Sequence, residues 1–169
     1  MKYELKKIKD EYGTIRKTKI TDEDVEVKID QEAMIPKEDV ITLITKEGYV
    51  KRTSKRGYLA NTEKPLLKEG DYIIGLYELN TLDTVLLFTN LGNYLYIPVH
   101  KIPEVKWKEL GKHISNLIQI SADERIISAM ILDNPSTNVI MTTRNGITKR
   151  TNLEELIVSR YTKPINAMK

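Results

Sequence analysis

Three stretches of this chain align on a glycine without a gap: "VITLITKEGYVKRT" (residues 40–53), "TVLLFTNLGNYLYI" (84–97) and "NVIMTTRNGITKRT" (138–151). In each, a threonine (Thr45, Thr89, Thr143) ends an apolar run, three residues follow, and the third is glycine (Gly48, Gly92, Gly146). A three-residue hairpin commonly joins a type I turn to one residue in the left-handed region, which glycine enters without a Cβ clash. The spacing therefore predicts three antiparallel hairpins of one design. The segments ahead of the second and third hairpins match as well. "GDYIIGLYELN" and "DERIISAMILD" both run from charge through an Ile-Ile pair and a small residue into an apolar strand. The glycines stand 44 and 54 residues apart, near the blade length of propeller-like arrays. The predicted fold class is all-β, a bladed, propeller-like repeat array with about three blades.

The start of the chain has another period. Leu5, Ile8, Tyr12 and Ile15 fall at spacings of three, four and three, a helical stripe of coiled-coil type. A helix this short is marginal alone in water, so it needs a partner or continues a longer helix. Gly13 and the following "TIRKTKITDEDVE" break the stripe, and Asp22, Glu23 and Asp24 read as a solvated connector, since three consecutive carboxylates share no ligand geometry. From residue 25 the apolar period becomes two, in short runs rich in Val, Ile, Thr and Tyr. Residues 1–24 are expected to be a helical end plus linker, and 25–169 the bladed domain.

Composition removes several classes. With 40% apolar and 30% charged residues and no apolar run long enough to span a bilayer, no membrane partner is expected. "MKYELKKIKDEYG" is charged where a signal peptide would need its apolar stretch, and there is no cysteine. Both point to the cytoplasm, and the second excludes disulfides, thiolate metal sites and a cysteine nucleophile.

The net charge of +3 is small, so its distribution carries the information. Residues 46–58 hold five basic side chains against Glu47 alone, and residues 144–169 hold six against Glu154 and Glu155. In "GYVKRTSKRGY" (48–58), Lys51, Arg52, Lys55 and Arg56 crowd a strand and its exit. One reading is a solvated edge, because charge on an exposed strand discourages edge-to-edge pairing. The other is a phosphate-binding surface. Lys51-Arg52-Thr53 and Lys149-Arg150-Thr151 occupy the same hairpin positions, where the middle repeat has Leu95-Tyr96-Ile97. A basic pair recurring in register favours phosphate contact with a curved duplex.

The stretches "IPKEDVITLITKEGYVKRT", "DTVLLFTNLGNYLYIPVHKIPEVKWKELGKHISNLI" and "NGITKRT" resemble the β-pinwheel, the C-terminal DNA-binding domain of the A subunits of bacterial type IIA topoisomerases. The likeness is to the topoisomerase IV subunit (ParC) of Gram-positive type more than to gyrase. "LKKIKDEYGTIRKTKI" is similar to the family's exit from the coiled coil ahead of this domain. The resemblance covers essentially the whole chain. It implies a non-catalytic module that engages and bends double-stranded DNA during ATP-dependent strand passage, decatenation and supercoil relaxation. The implied partners are the rest of the A subunit and the B subunit, ParE, on the nucleoid.

Gyrase A subunits carry a Gln-Arg-Arg-Gly-Gly-Lys-Gly box here. The nearest counterpart is "TSKRGYLAN" (54–61), with one glycine and no glutamine, which weakens a gyrase-type wrapping reading without removing it. Such domains close a ring of about six blades, so three hairpins resemble a fragment of one. The expected DNA-binding set is Lys51, Arg52, Lys55, Arg56, Arg144, Lys149 and Arg150. A protein-interaction propeller remains the alternative.

No catalytic, cofactor-binding or metal residue is assigned. His100 and His113 have no nearby nucleophile in sequence and read as structural or surface residues, and no serine has a Gly-x-Ser-x-Gly setting. The family's cleavage tyrosine and metal carboxylates lie in other domains, so Tyr49, Tyr94 and Tyr96 are read as packed strand residues. Trp107, between Lys106 and Lys108, reads as a packed anchor.

Overall fold

The computed structural model describes residues 2–15, 17–18, 34–61, 63–134 and 136–168. The chain divides into two compact units, residues 1–30 and 31–169. The acidic connector Asp22–Asp24 and the expected boundary after residue 24 lie outside the described residues.

In the first unit, helix α1 (Lys2–Tyr12) buries none of its residues. The Gly13 N–H donates to Lys9 O at 2.8 Å, which closes the last turn. Leu5, Ile8, Tyr12 and Ile15 are all exposed, so the apolar stripe predicted from the spacing has no cover among the described residues.

The second unit holds the array. Strands β1 (Asp39–Thr45) and β2 (Tyr49–Ser54) form the first hairpin, followed by the short helix α2 (Lys55–Leu59) and strand β3 (Ile73–Asn80). Strands β4 (Thr84–Thr89) and β5 (Asn93–Pro98) form the second hairpin, followed by β6 (Lys112–His113) and β7 (Ile126–Ile131). The third is β8 (Asn138–Thr142) with β9 (Thr148–Asn152), and β10 (Ile165–Asn166) ends the series. All three turns are as the glycines predict. Gly48, Gly92 and Gly146 have φ of +87°, +76° and +82°, and each N–H donates to the threonine carbonyl three residues back, at 3.1, 3.2 and 3.0 Å.

Blade membership departs from the order of the sequence. The sheets run β3-β1-β2-β6, β10-β5-β4-β7 and β8-β9. Two blades therefore have four strands, and the third has its hairpin alone among the described residues. The matched Ile-Ile segments belong to the preceding hairpin in space and not to the one that follows them. Hydrogen bonds at the turns account for this. Lys46 N donates to Tyr72 O at 2.9 Å and Glu47 N to Asp71 Oδ1 at 3.0 Å, which ties the start of β3 to the first turn. In the second blade Asn90 N donates to Arg125 O at 3.0 Å. The buried Glu124 there accepts from Thr89 Oγ1 and Asn93 Nδ2, both at 2.8 Å. The acid ahead of each Ile-Ile pair is thus a hook onto the previous turn, and a register shift at Thr45 and Thr89 lets the strand leave it.

Strand alternation sorts the core into layers. Val40, Ile44 and Val50 of the first blade meet Val85, Leu87, Leu95 and Ile97 of the second in one buried cluster. Leu86 and Tyr94 face the other way, toward Leu153, Leu156, Val139 and Met141 of the third hairpin and its exit. Each such side chain is worth about 1.5–3 kcal/mol when fully buried, so both faces of the β4–β5 hairpin hold the array together. On the outer face of β1, Ile41 and Leu43 pack on Trp107.

Candidate nucleic-acid interface

The seven expected cations do not share one environment. Lys51 leans inward, only 1% exposed. Its Nζ donates to Trp107 O at 2.8 Å and Glu109 O at 2.7 Å and stands 5.2 Å from the centre of the Trp107 ring. Burial pushes its pKa below the ordinary lysine value, partly opposed by the Glu109 carboxylate. The expectation of an outward Lys51-Arg52 pair is therefore corrected for Lys51. The reason is the chain returning over β2: a Cβ on Gly111 would come within 2.4 Å of Val50 O and 3.2 Å of Lys51 Cβ. Only glycine lets that segment lie flat enough for its carbonyls to reach the ammonium.

Arg52 is half-buried. Its backbone is clamped by the same segment, with Arg52 N donating to Pro103 O and Val105 N to Arg52 O, both at 3.0 Å. Its guanidinium Nη2 lies 3.5 Å from Glu104 Oε2. Lys55 opens α2 and forms an ion pair with Glu78 of β3. The hydrogen bond to that carboxylate, with its charge, raises the Lys55 pKa. The segment matched to the gyrase box is here a helical turn and not an open loop. Ser54 caps it by accepting from Gly57 N at 3.2 Å.

Arg56, Arg144, Lys149 and Arg150 are exposed and have no carboxylate partner among the described residues. Arg56 projects from α2, Arg144 sits on the third turn, and Lys149 and Arg150 lie on β9. The Lys149 ammonium donates to Ala167 O at 2.9 Å. The two basic pairs are in register by sequence but differ by cover, because the first has a returning segment across it and the third hairpin is two-stranded.

The residues expected to be structural have clear places. Trp107, 5% exposed, donates from Nε1 to Glu63 O at 2.8 Å and meets Tyr58 edge-on at 4.7 Å, an anchor and not a stacking platform. His113 fixes a turn: Nδ1 accepts from Ser115 N at 3.2 Å, so Nε2 carries the proton and donates to Glu47 O at 3.0 Å. Tyr94 is buried and Tyr49 and Tyr96 half-buried on their strands.

A second set of cations, which the sequence pattern did not single out, lies on the segments returning to the edge of each blade. Lys106 precedes Trp107 and Arg160 precedes Tyr161, both basic residues exposed. Trp107 packs on the first blade, and Tyr161 faces Tyr96 of β5, ring centroids 5.7 Å apart. The signal was a basic–aromatic dipeptide in both connections. By the strand pairing, Val50 with Lys112 and Tyr94 with Ile165, the two dipeptides lie on equivalent returning segments but one residue out of register.

Residues 39–59, 83–133 and 137–169 match the family model of the DNA gyrase C-terminal domain, β-propeller. The chain is 40% identical over 167 residues to the A subunit of DNA topoisomerase 4 from Bacillus subtilis (strain 168), covering 97% of this chain and 21% of that protein. It is 41% identical over 172 residues to the protein of the same name from Staphylococcus aureus, covering 100% of this chain and 22% of that one. It thus spans about a fifth of the length of these curated relatives. Among solved structures, the C-terminal domain of DNA topoisomerase IV aligns with a TM-score of 0.75 and 46% identity, over 79% of this chain and 42% of that one. The C-terminal domain of E. coli ParC aligns with a TM-score of 0.60 at 13% identity, over 76% of this chain and 50% of that one, a likeness of fold.

Proposed function

The chain belongs to the family of DNA gyrase C-terminal β-propeller domains, and from that membership we propose that it is the duplex-holding domain of a topoisomerase IV A subunit. It engages and bends double-stranded DNA through exposed cations, needs no cofactor, and leaves strand cleavage and ATP hydrolysis to other domains of a type IIA enzyme. That enzyme includes the B subunit, ParE, and works in the cytoplasm on the nucleoid. The observation carrying this reading is the exposed group Arg56, Arg144, Lys149 and Arg150, which has no carboxylate partner among the described residues. Cations already neutralised by a carboxylate have little to offer a phosphate, so Arg52 and Lys55 contribute less and Lys51 does not touch DNA.

Fluorescence anisotropy with a labelled duplex tests it. Arg144→Ala/Arg150→Ala weakens binding across unrelated sequences and makes the salt slope shallower by roughly one unit for each phosphate no longer touched. Lys55→Ala has a smaller effect. If the double variant binds duplex as the parent does, the third hairpin is not part of a DNA surface.

A further inference from the structure

Beside β5 and the segment returning toward β10 lies a cavity of about 580 Å³, within the range of ligand sites. Its lining includes Ile97 and Ile118, Tyr96 and Tyr161 with rings tilted by 35°, and two cations, Lys101 and Arg160. No carboxylate among the described residues lines it, and neither cation has an ion pair among them.

The first blade has a groove at the equivalent place, about 560 Å³, between α2 and its own returning segment. The equivalence follows from the backbone: Ile114 N donates to Gly48 O at 2.8 Å, and Ala167 N to Gly92 O at 2.9 Å. In the first blade the charges cancel. Lys106 and Lys108 are accompanied by Glu104 and Glu109, Lys108 pairs with Glu63 at 3.0 Å, and Trp107 fills the apolar space against Tyr58. The second blade keeps cations, lacks the acids, and has no tryptophan, its returning segment setting Tyr161 against Tyr96 of β5. What remains is an apolar, partly aromatic cavity with uncompensated positive charge.

A bare phosphate has no use for apolar lining, and an uncharged aromatic molecule has none for two cations. We propose that this cavity binds one nucleotide, its base against the half-buried Leu117, Tyr96 and Tyr161, with the buried Ile97 and Ile118 behind them, and its phosphate on Lys101 and Arg160. Bases paired within a duplex cannot enter, so the site lies beyond the duplex reading. The nucleotide comes either free or from an unpaired stretch of strand, and both present the same base and phosphate.

Methyl NMR of Ile97 and Ile118 in the 169-residue chain tests this, with deoxyadenosine monophosphate, a deoxyadenosine hexanucleotide and inorganic phosphate as probes. Saturable shifts with the two nucleotide probes and none with phosphate are expected. Equal affinity for both probes assigns free nucleotide, and much tighter hexanucleotide binding assigns an unpaired strand. Lys101→Ala and Arg160→Ala, both on exposed side chains, each weaken binding by about tenfold, as expected for removing one charge-assisted hydrogen bond. Tyr161→Leu, which keeps an apolar filler, weakens it by a similar factor. No shift with either nucleotide, equal shifts with phosphate alone, or affinities unaltered in the two cation variants would overturn the proposal. Duplex affinity measured on the same samples separates this failure from failure of the duplex reading.

Discussion

Replacing Lys51 by methionine keeps an unbranched apolar stem and removes only the ammonium. In the fold that ammonium holds two carbonyls, Trp107 O at 2.8 Å and Glu109 O at 2.7 Å. The Trp107 carbonyl is buried, and leaving it without a donor costs about 1–3 kcal/mol. Water replaces the donor at exposed Glu109. Loss of the cation from the Trp107 ring, 5.2 Å away, adds about 0.5–1 kcal/mol. Relief from desolvating a charge, the same effect that lowers the Lys51 pKa, offsets part of this. The expected net loss is about 2 kcal/mol, which lowers the thermal midpoint by roughly 4–8 °C for a chain of this size. Trp107 is the sole tryptophan and touches the site, so its emission shifts to the red in the native variant as the returning segment loosens. An outward phosphate-binding lysine makes the opposite pattern: an unchanged midpoint and emission, with reduced duplex affinity. That result would refute the inward placement.

Gly146→Ala isolates the turn conformation, since nothing lies within 4 Å of the added Cβ, and is expected to cost about 1–2 kcal/mol from the left-handed backbone alone. Gly92→Val adds a contact at 3.0 Å with Met168 O and costs more; equal urea midpoints for both variants and parent would show that the turns tolerate side chains. Glu124→Leu leaves the Thr89 hydroxyl and the Asn93 amide without their shared acceptor, and about 2 kcal/mol is lost, read as a lower denaturation midpoint. Burial raises the pKa of Tyr77 and Tyr94 above 10.0. A raised folded-state value contributes stability that is full below the unfolded value and is lost as pH climbs through the folded one. Lys51, with its pKa lowered from 10.5, has the opposite sign and gains stability up to that pH. The alkaline fall in stability is therefore expected to be shallower in Tyr77→Phe/Tyr94→Phe and steeper in Lys51→Met, measured as denaturation midpoints from pH 9 upward.

The hairpins were legible because their constraint is local: a threonine, three residues and a glycine in the left-handed region suffice to close each turn. Blade membership was not, because it depends on contacts between distant residues. Nothing in "DERIISAMILD" says that Glu124 will accept from Thr89, 35 positions earlier. The surroundings of the seven expected cations were half legible for the same reason. Charge density picked out Arg56, Arg144, Lys149 and Arg150, which are exposed, but whether a strand cation faces out depends on what crosses it. The carbonyls that turn Lys51 inward come from residues 56 and 58 positions away, and Gly111, which admits them, lies in a segment with no repeat signature. Trp107, between two lysines, was read as an anchor, and Ile41, Leu43 and Tyr58 cover its ring.

The most direct measurement is duplex affinity of this chain across a salt series. Four exposed cations with no carboxylate partner among the described residues, each on a phosphate, give a slope of log K against log salt of about −3 to −4, at roughly −0.9 per phosphate. Removing Arg144 and Arg150 brings it to about −2 on the same scale, and Lys51→Met leaves it unchanged. A flat salt response in the parent, or a slope that falls with Lys51→Met and not with the arginine variant, would contradict DNA held by these exposed cations.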